Sequence, residues 1–259
     1  MDNYKLISSA KNPFYKELVA SLKGRGTYGR HLRIEGETAI RELADLTLVS
    51  NVIVGTEDAY DAIEPRHLLG KNKKNLEIIV VPEFLFERLS TGQHRKGVIA
   101  WVRWPWHNLE DSERPLNRVL YLDRVQDPGN VGTLIRSAAA FDLDAVILSA
   151  GTALPWNEKV VRASVGAVLR IPVYVLQENQ ELQDVAGDLP LLIADMDGED
   201  LGTFDWPKRW LLAIGNEGQG IADHLAAAAD HVLSISMPGG IESLNAGVAG
   251  SIMLYEAVR

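Results

Sequence analysis

Short apolar runs alternate with amphipathic segments along most of the chain. Residues 145–148 and 210–214 are continuous apolar runs, which are typical of strands buried on both faces. Residues 131–141 instead carry an apolar side chain at every third or fourth position, the spacing of an amphipathic helix. Because strands and helices alternate, the sequence predicts an α/β fold with a mostly parallel sheet covered by helices on both faces.

The same pattern divides the chain into two parts. A smaller α/β part comes first, with helices predicted at 13–23 and 37–46 and strands at 48–54, 76–81 and 98–102. The larger part has strands predicted at 119–123, 145–148, 171–175, 189–194, 210–214 and 231–235, and helices at 131–141, 158–163, 221–229 and 243–258. Residues 104–117 contain two prolines and an acidic run without periodicity, which indicates an exposed connector. We therefore expect one domain at 1–103, a linker at 104–117 and a second domain at 118–259.

Three segments rich in glycine and asparagine follow apolar runs in the second domain. They read Asp127-Pro-Gly-Asn-Val-Gly-Thr-Leu-Ile-Arg-Ser-Ala138, Leu212-Ala-Ile-Gly-Asn-Glu-Gly-Gln-Gly-Ile221 and Ile235-Ser-Met-Pro-Gly-Gly-Ile-Glu-Ser-Leu-Asn245. Because open parallel sheets place their ligand crevices at the carboxyl ends of strands, we expect the three segments to line one crevice.

Each segment also has an interpretation that involves no ligand. From the residues alone, Asn130 is a helix cap, and Arg136, which lies off the apolar stripe, is either a surface charge or a functional group. The second segment has neither the dinucleotide fingerprint nor the P-loop spacing, so it is a strand–loop–helix turn or another kind of ligand loop. Ser243 suits a helix cap, although a cap does not explain the whole string 239–245.

Cysteine is absent from the sequence, and this excludes several kinds of chemistry. There can be no disulfide framework, no thiolate metal site and no cysteine nucleophile. The six histidines show no clustered spacing, so we expect no metal. No apolar stretch reaches the ~20 residues that span a bilayer, and the first residues do not resemble a secretory signal. We expect a cytoplasmic protein without a membrane partner.

The net charge of −9 is unevenly distributed. Residues 1–116 hold 17 Lys+Arg against 16 Asp+Glu, a balance of +1, whereas residues 117–259 hold 9 against 19, a balance of −10. Any attraction for phosphate would therefore come from the amino-terminal part. Charge alone does not decide between a phosphate-binding surface and ordinary scatter.

In order and spacing, the three segments together resemble the motifs of the SpoU (TrmH-type) RNA 2′-O-methyltransferases of the SPOUT superfamily. Residues 34–46 and 97–101 resemble the small substrate-binding domain that precedes many SpoU catalytic domains and is similar to a ribosomal-protein fold that binds RNA. One departure is Ala246-Gly247, where the family more often has valine and serine. The resemblance implies methyl transfer from S-adenosylmethionine to a ribose 2′-hydroxyl of ribosomal or transfer RNA, a trefoil knot and a homodimer.

The resemblance also implies roles for single residues. Arg136 would grip the target phosphate and assist deprotonation; because arginine keeps its proton at neutral pH, its role is mainly electrostatic. The residues that would orient Arg136 and the ribose are Asn130, Glu217, Ser243 and Asn245. The cofactor would lie against the backbone at Gly215, Ile235 and Leu244, and a bulky residue at Gly215 should block it while leaving the fold intact. If the amino-terminal domain recruits RNA, the contacts would come from Lys23, Arg25, Arg30 and Arg33.

Two other functions are compatible with parts of the sequence. The chain could be an RNA-binding module that keeps this fold without catalysis, although the set of matching motif residues argues against it. It could also be a nucleotide-cofactor oxidoreductase, although the missing glycine fingerprint argues against that.

Overall fold

The computed structural model describes residues 4–23, 25, 28, 31–37, 40, 50–63, 77–90, 97–103, 115–177, 182, 186–241 and 243–259. The chain divides into two compact units, Met1–Pro105 and Trp106–Arg259. Most of the predicted linker and most of the helix predicted at 37–46 lie outside the described residues, so both stay predictions. None of the described helices is both long and apolar enough to cross a membrane.

The amino-terminal unit is built on a mixed sheet. Its described strands are β1 (Tyr4–Leu6), β2 (His31–Glu35), β3 (Ser50–Gly55), β4 (Glu77–Val80) and β5 (Val98–Arg103), in the order β1-β4-β3-β5-β2. β4 pairs parallel to β1 and β3, and β5 pairs antiparallel to β2 and β3. Its described helices are α1 (Pro13–Ser21), α2 (Glu57–Ile63) and α3 (Glu83–Phe86).

Two strands of this unit were not predicted from the sequence. β1 has only three residues, too few to show a period. β2 overlaps the end of residues 23–33, a segment rich in lysine, arginine and glycine. The positive charge of that segment obscured a period of two, in which Leu32 and Ile34 are buried and alternate with His31, Arg33 and Glu35. The predicted helix at 13–23 is shorter than expected, since α1 ends at Ser21.

The carboxyl-terminal unit contains the predicted parallel sheet. Its strands are β6 (Arg118–Leu122), β7 (Ala145–Leu148), β8 (Val173–Val175), β9 (Leu191–Asp200), β10 (Trp210–Ile214) and β11 (His231–Ser234). Their order is β11-β9-β10-β6-β7-β8, and every neighbouring pair is parallel. The described helices are α4 (Pro128–Ala140), α5 (Glu158–Ala163), α6 (Asp223–Ala228) and α7 (Ala246–Val258), and a short 3₁₀ helix spans Ala167–Leu169.

Strand β9 continues well beyond its predicted end at residue 194. Its pairing with β11 runs to Ile193↔Val232 and resumes at Glu199↔Leu233, so residues 194–198 form a bulge. A Cβ on Gly198 would lie 2.5 Å from the Val232 carbonyl oxygen, so the close approach of the two strands requires glycine there. Because β9 lies between β10 and β11, the bulge sits beside the loops that follow those two strands.

Small residues bring the helices on one side of the sheet close together. A Cβ on Gly250 of α7 would lie 2.4 Å from Leu134 Cδ2 of α4, and one on Gly132 of α4 would lie 2.5 Å from the Ala163 Cβ of α5. The hydroxyls of Ser137 and Ser251 also join α4 to α7 at 2.7 Å. Helix α4 therefore packs closely against both α5 and α7.

Candidate functional site

The first segment starts helix α4, but its cap is not the residue predicted. Asp127 is the cap: its Oδ1 accepts the backbone N–H groups of Gly129 and Asn130, and Pro128 occupies the first helical position. Proline favours that position because its φ suits a helix and its missing N–H needs no partner there. Asn130 lies inside the first turn and is 7% exposed, so its side chain is available for another contact.

That contact joins the first segment to the second. Asn130 Nδ2 donates to Glu217 Oε1 at 2.8 Å, and the backbone N–H groups of Gln126 and Asp127 donate to the same carboxylate at 3.4 and 3.3 Å. Burial raises the pKa of Glu217, but the hydrogen bond from Asn130 and those from the backbone N–H groups of Glu217, Gln126 and Asp127 outweigh it, so the pKa lies below its ordinary value. Glu217 is therefore a carboxylate at neutral pH, placed at the amino end of α4, where the helix dipole favours a negative charge.

The second segment is a tight, self-bonded loop, here called the Gly215 loop (residues 215–220). Asn216 and Gly220 exchange two backbone hydrogen bonds of 3.0 and 2.9 Å, and Asn216 Oδ1 accepts the N–H groups of Gly218 and Gln219. A Cβ on Gly215 would lie 2.4 Å from the carbonyl carbon of Gly220. The expectation that a bulky residue at Gly215 leaves the fold intact is therefore wrong, because even a methyl group collides with the backbone of the loop itself.

The third segment ends at Asn245, which caps α7. Its Oδ1 accepts the N–H groups of Gly247 and Val248 at 3.0 and 3.2 Å, so Ser243, which the sequence suggested as the cap, lies exposed ahead of the helix. A Cβ on Gly247 would lie 3.1 Å from the side-chain oxygens of both Asn130 and Asn245. Gly247 belongs to the Ala246-Gly247 departure from the family pattern, and it is the residue at which α7 comes close to the first segment.

Arg136 lies apart from these contacts. It is exposed on α4, about 9 Å along the helix axis from Asn130 at 1.5 Å per residue, and it makes no hydrogen bond or ion pair with the residues that the structure describes. The structure therefore joins Asn130 to Glu217 and places Asn245 and Asn130 on either side of Gly247, whereas Arg136 and Ser243 make no hydrogen bond to these residues. Because it is exposed and makes none of these contacts, the Arg136 guanidinium is accessible to a phosphate from outside the chain.

Apolar side chains are exposed on the loops where the cofactor is expected. Leu244 and Ile241 are exposed in the loop after β11, Ile235 is half-buried there, and Met196 is exposed on the β9 bulge. Exposed apolar side chains at one edge of a sheet are typical of a surface that an apolar ring or another chain covers. Within the described ranges, no group of three histidine, aspartate or glutamate side chains could hold a metal ion.

Asp123 and Arg124 at the end of β6 were not predicted as site residues from the sequence. Asp123 is 3% exposed, and its Oδ2 accepts the Ala222 N–H beyond the Gly215 loop at 2.8 Å. The hydrogen bond to Asp123 raises the pKa of Arg124. The only available signal was an acidic–basic pair directly after a buried strand. Sequence gives no sign that Gln219 and Ala222 are its partners, because they lie more than 90 positions away.

The four basic residues predicted to contact RNA have different environments in the amino-terminal unit. Lys23 and Arg25 are exposed, and Arg30 lies outside the described residues. Arg33 is half-buried on β2, where its guanidinium donates to the Leu89 carbonyl oxygen. Arg33 therefore contributes to the packing of the unit as well as to its charge.

A cavity of about 640 Å³ lies beside α6. Its lining includes Asp123 and Arg124, together with the apolar residues Tyr121, Leu211 and Leu225. None of the residues predicted from the motifs lines it, so the cavity adjoins the site only through Asp123 and Arg124.

Comparison with known proteins gives one family match in the carboxyl-terminal unit and relatives that match at least 95% of this chain. Residues 117–255 match the SpoU rRNA Methylase family. The 23S rRNA (guanosine(2553)-2′-O)-methyltransferase RlmP of Bacillus subtilis (strain 168) is 31% identical, over 97% of this chain and 98% of that protein. The SpoU methyltransferase AviRb from Streptomyces viridochromogenes, solved with AdoMet, superposes with a TM-score of 0.82 and 26% identity, over 95% of this chain and 97% of that one. An AdoMet-bound rRNA methyltransferase from Sinorhizobium meliloti superposes with a TM-score of 0.81 and 27% identity, over 99% and 98%.

Proposed function

Because the chain belongs to the SpoU rRNA methylase family, we infer that it is an RNA 2′-O-methyltransferase that uses S-adenosylmethionine. The observation that carries this inference is the 2.8 Å hydrogen bond from Asn130 to Glu217, because it joins two of the motif segments into one site. An oxidoreductase function does not fit this family.

For the substrate, we propose 23S ribosomal RNA rather than transfer RNA. The support is the relative named as a 23S rRNA methyltransferase, which matches 97% of this chain, including the amino-terminal unit. The experiment is to map 2′-O-methyl groups in RNA from a strain that lacks the protein. One missing methyl group in 23S rRNA is expected; a missing group in a transfer RNA instead would contradict the substrate assignment.

The chemistry needs positioning more than it needs a strong base. When bound, S-adenosylmethionine would supply a sulfonium methyl carbon for the ribose 2′-oxygen to attack in line; the carbon–sulfur bond would break, the neutral thioether would leave and the hydroxyl proton would pass to water, without a covalent enzyme intermediate. The protein must hold the ribose in place, and orientation alone can supply much of the rate. We propose that Arg136 binds the target phosphate through its planar guanidinium. Glu217, whose pKa is lowered, holds Asn130 rather than taking the proton.

The remaining residue assignments are proposals of the same kind. Ser243 and Asn245 stand at the start of α7 and would orient the ribose, and the backbone at Gly215, Ile235 and Leu244 would hold the cofactor. The trefoil knot is expected from the family. We expect the protein to work in the cytoplasm, with its RNA substrate.

A homodimer is supported by an apolar stripe on α7. Val248, Ile252 and Tyr255 are 47%, 37% and 50% exposed and follow one another at helical spacing, and the Tyr255 ring lies 6.0 Å from that of Phe141, directly after α4. Apolar residues exposed in one stripe favour contact with another protein surface. Arg136 lies on α4, which packs against α7, so a second copy covering the stripe would bring its own residues near Arg136. The sedimentation mass tests this: twice the 28.5 kDa of one chain is expected.

RNA affinity is expected to depend on the basic residues of the amino-terminal unit, because residues 117–259 carry a balance of −10. Replacing Lys23, Arg25, Arg30 and Arg33 with alanine should raise the RNA dissociation constant. The log–log slope of affinity against salt should also become shallower, by about 0.7 for each single-strand phosphate that the variant no longer neutralises. Binding of S-adenosylmethionine should not change.

The Lys23→Ala/Arg25→Ala pair separates charge from packing, because Arg33 also donates to the Leu89 carbonyl oxygen. The matched control is Lys11→Ala/Lys16→Ala, which removes two exposed charges from the same unit. Equal RNA affinity and salt slope in the Lys23/Arg25 variant and this control would contradict a role for the segment.

A further inference from the structure

Arg124 adopts a backbone conformation that residues with a side chain rarely take. Its φ is +54°, in the left-handed region. A Cβ there crowds the following carbonyl oxygen, so glycine is the residue that adopts this conformation most readily. Its N–H donates to Ser149 Oγ at 2.8 Å, and its carbonyl oxygen accepts Asn216 Nδ2 at 2.8 Å. The second contact ties this strained residue directly to the start of the Gly215 loop.

The Arg124 side chain makes further contacts that a glycine could not make. Nε and Nη2 donate to the two oxygens of buried Asp123 at 3.2 and 3.0 Å, so the guanidinium is held in a fixed plane. Nη1 then donates to Gln219 Oε1 at 3.0 Å, and Nη2 also lies 3.4 Å from the Gly220 carbonyl oxygen. One side chain thus links a buried carboxylate to the far end of the Gly215 loop.

The Gly215 loop is held from two sides by one stretch of chain. On one side Glu217 bonds to Asn130 and to the backbone of Gln126 and Asp127. On the other side the loop bonds to Arg124, and Asp123 accepts the N–H of Ala222, two residues after the loop. Without the Arg124 guanidinium, the loop would keep its Glu217 hydrogen bonds but not the side-chain hydrogen bonds at Gln219 and Gly220.

We propose that Arg124 is a positioning residue that holds the Gly215 loop in the shape that binds the cofactor. The loop bonds internally through the N–H groups of Gly218, Gln219 and Gly220, and a loop that is already ordered loses less freedom when a ligand binds. The claim that the ordered loop binds the cofactor rests on the proposed function, whereas the claim that Arg124 orders the loop is independent of it.

The key variant is Arg124→Gly, because glycine accepts the backbone conformation and removes only the side-chain contacts. Amide hydrogen exchange of the protein without cofactor should become at least tenfold faster at residues 218–220, while α4 exchanges as in wild type. The dissociation constant of S-adenosylmethionine should rise by about tenfold, whereas RNA affinity stays close to wild type. The melting temperature should fall, because buried Asp123 loses its guanidinium partner. Arg124→Lys should fall between the two, because a lysine keeps the charge and loses the fork.

A double-mutant cycle with Gln219→Ala identifies the route of the effect. If Arg124 acts through Gln219, the double variant should be no weaker in cofactor binding than Arg124→Gly alone. Unchanged exchange at residues 218–220 in Arg124→Gly would overturn the proposal, and so would full additivity in the cycle. A wild-type protein that binds no S-adenosylmethionine would instead overturn the proposed function, and the exchange data would still decide the role of Arg124.

Discussion

Replacing Arg136 with alanine should reduce methyl transfer to RNA by a factor of about 10²–10³, the usual effect of removing one group that stabilises charge at a reacting centre. The affinity for S-adenosylmethionine should stay within about twofold of wild type, because we place Arg136 on the RNA side of the site and not in contact with the cofactor. The melting temperature should not change, since the exposed guanidinium has no hydrogen bond or ion pair in the part of the chain that the structure describes. Single-turnover methylation and calorimetry measure the two effects separately.

Two further variants sharpen this test. Arg136→Lys should restore little activity, because a point charge lacks the planar pair of donors that matches a phosphate. Lys208→Ala is the matched control: it removes an exposed cation just before β10, at the opposite edge of the sheet from the Gly215 loop. Equal losses in Arg136→Ala and Lys208→Ala, or a loss of cofactor affinity that parallels the loss of rate, would show that the role assigned to Arg136 is wrong.

Replacing Gly215 with alanine should abolish cofactor binding and lower stability together. The added Cβ would lie 2.4 Å from the Gly220 carbonyl carbon and 2.5 Å from the Ile221 nitrogen. The loop must therefore open, which breaks the paired hydrogen bonds between Asn216 and Gly220. Overpacking of this kind costs about 1–3 kcal/mol. Thermal melting and calorimetry with S-adenosylmethionine measure the two losses.

The matched control for stability is Gly218→Ala in the same loop. The nearest atom to a Cβ there is Asn216 Oδ1 at 3.7 Å, an ordinary contact, so the melting temperature should stay near that of wild type. A Gly215→Ala protein with wild-type melting temperature and cofactor affinity would contradict the geometry of the loop.

The sheet of the carboxyl-terminal unit was predictable because its strands are buried on both faces. Continuous apolar runs such as 145–148 and 210–214 coincide with β7 and β10. The bulge in β9 was not predictable, since it depends on pairing with β11 more than 30 residues later. β2, in contrast, had a local signal that was missed: its period of two was present in the sequence, but the positive charge around it favoured a loop.

The caps show how far local signals reach. Asp127 and Asn130 are both good capping residues, and only the proline at the first helical position indicates that the cap is Asp127. Ser243 and Asn245 present the same ambiguity without a proline to resolve it. The resemblance pointed to the residues of the site, but their mutual contacts required the fold, because Asn130 and Glu217 are 87 positions apart.

The most direct test of the central claim is methyl transfer from tritium-labelled S-adenosylmethionine to unmethylated ribosomal RNA in the presence of EDTA. After digestion to nucleosides, the label should appear in a single 2′-O-methylnucleoside, and Arg136→Ala should give almost none. EDTA should have no effect, because the proposed site is built from backbone loops and asparagine, glutamate and arginine side chains. Label on a base, or no transfer by a folded wild-type protein that binds the cofactor and the RNA, would contradict the assignment of this chain as an RNA 2′-O-methyltransferase.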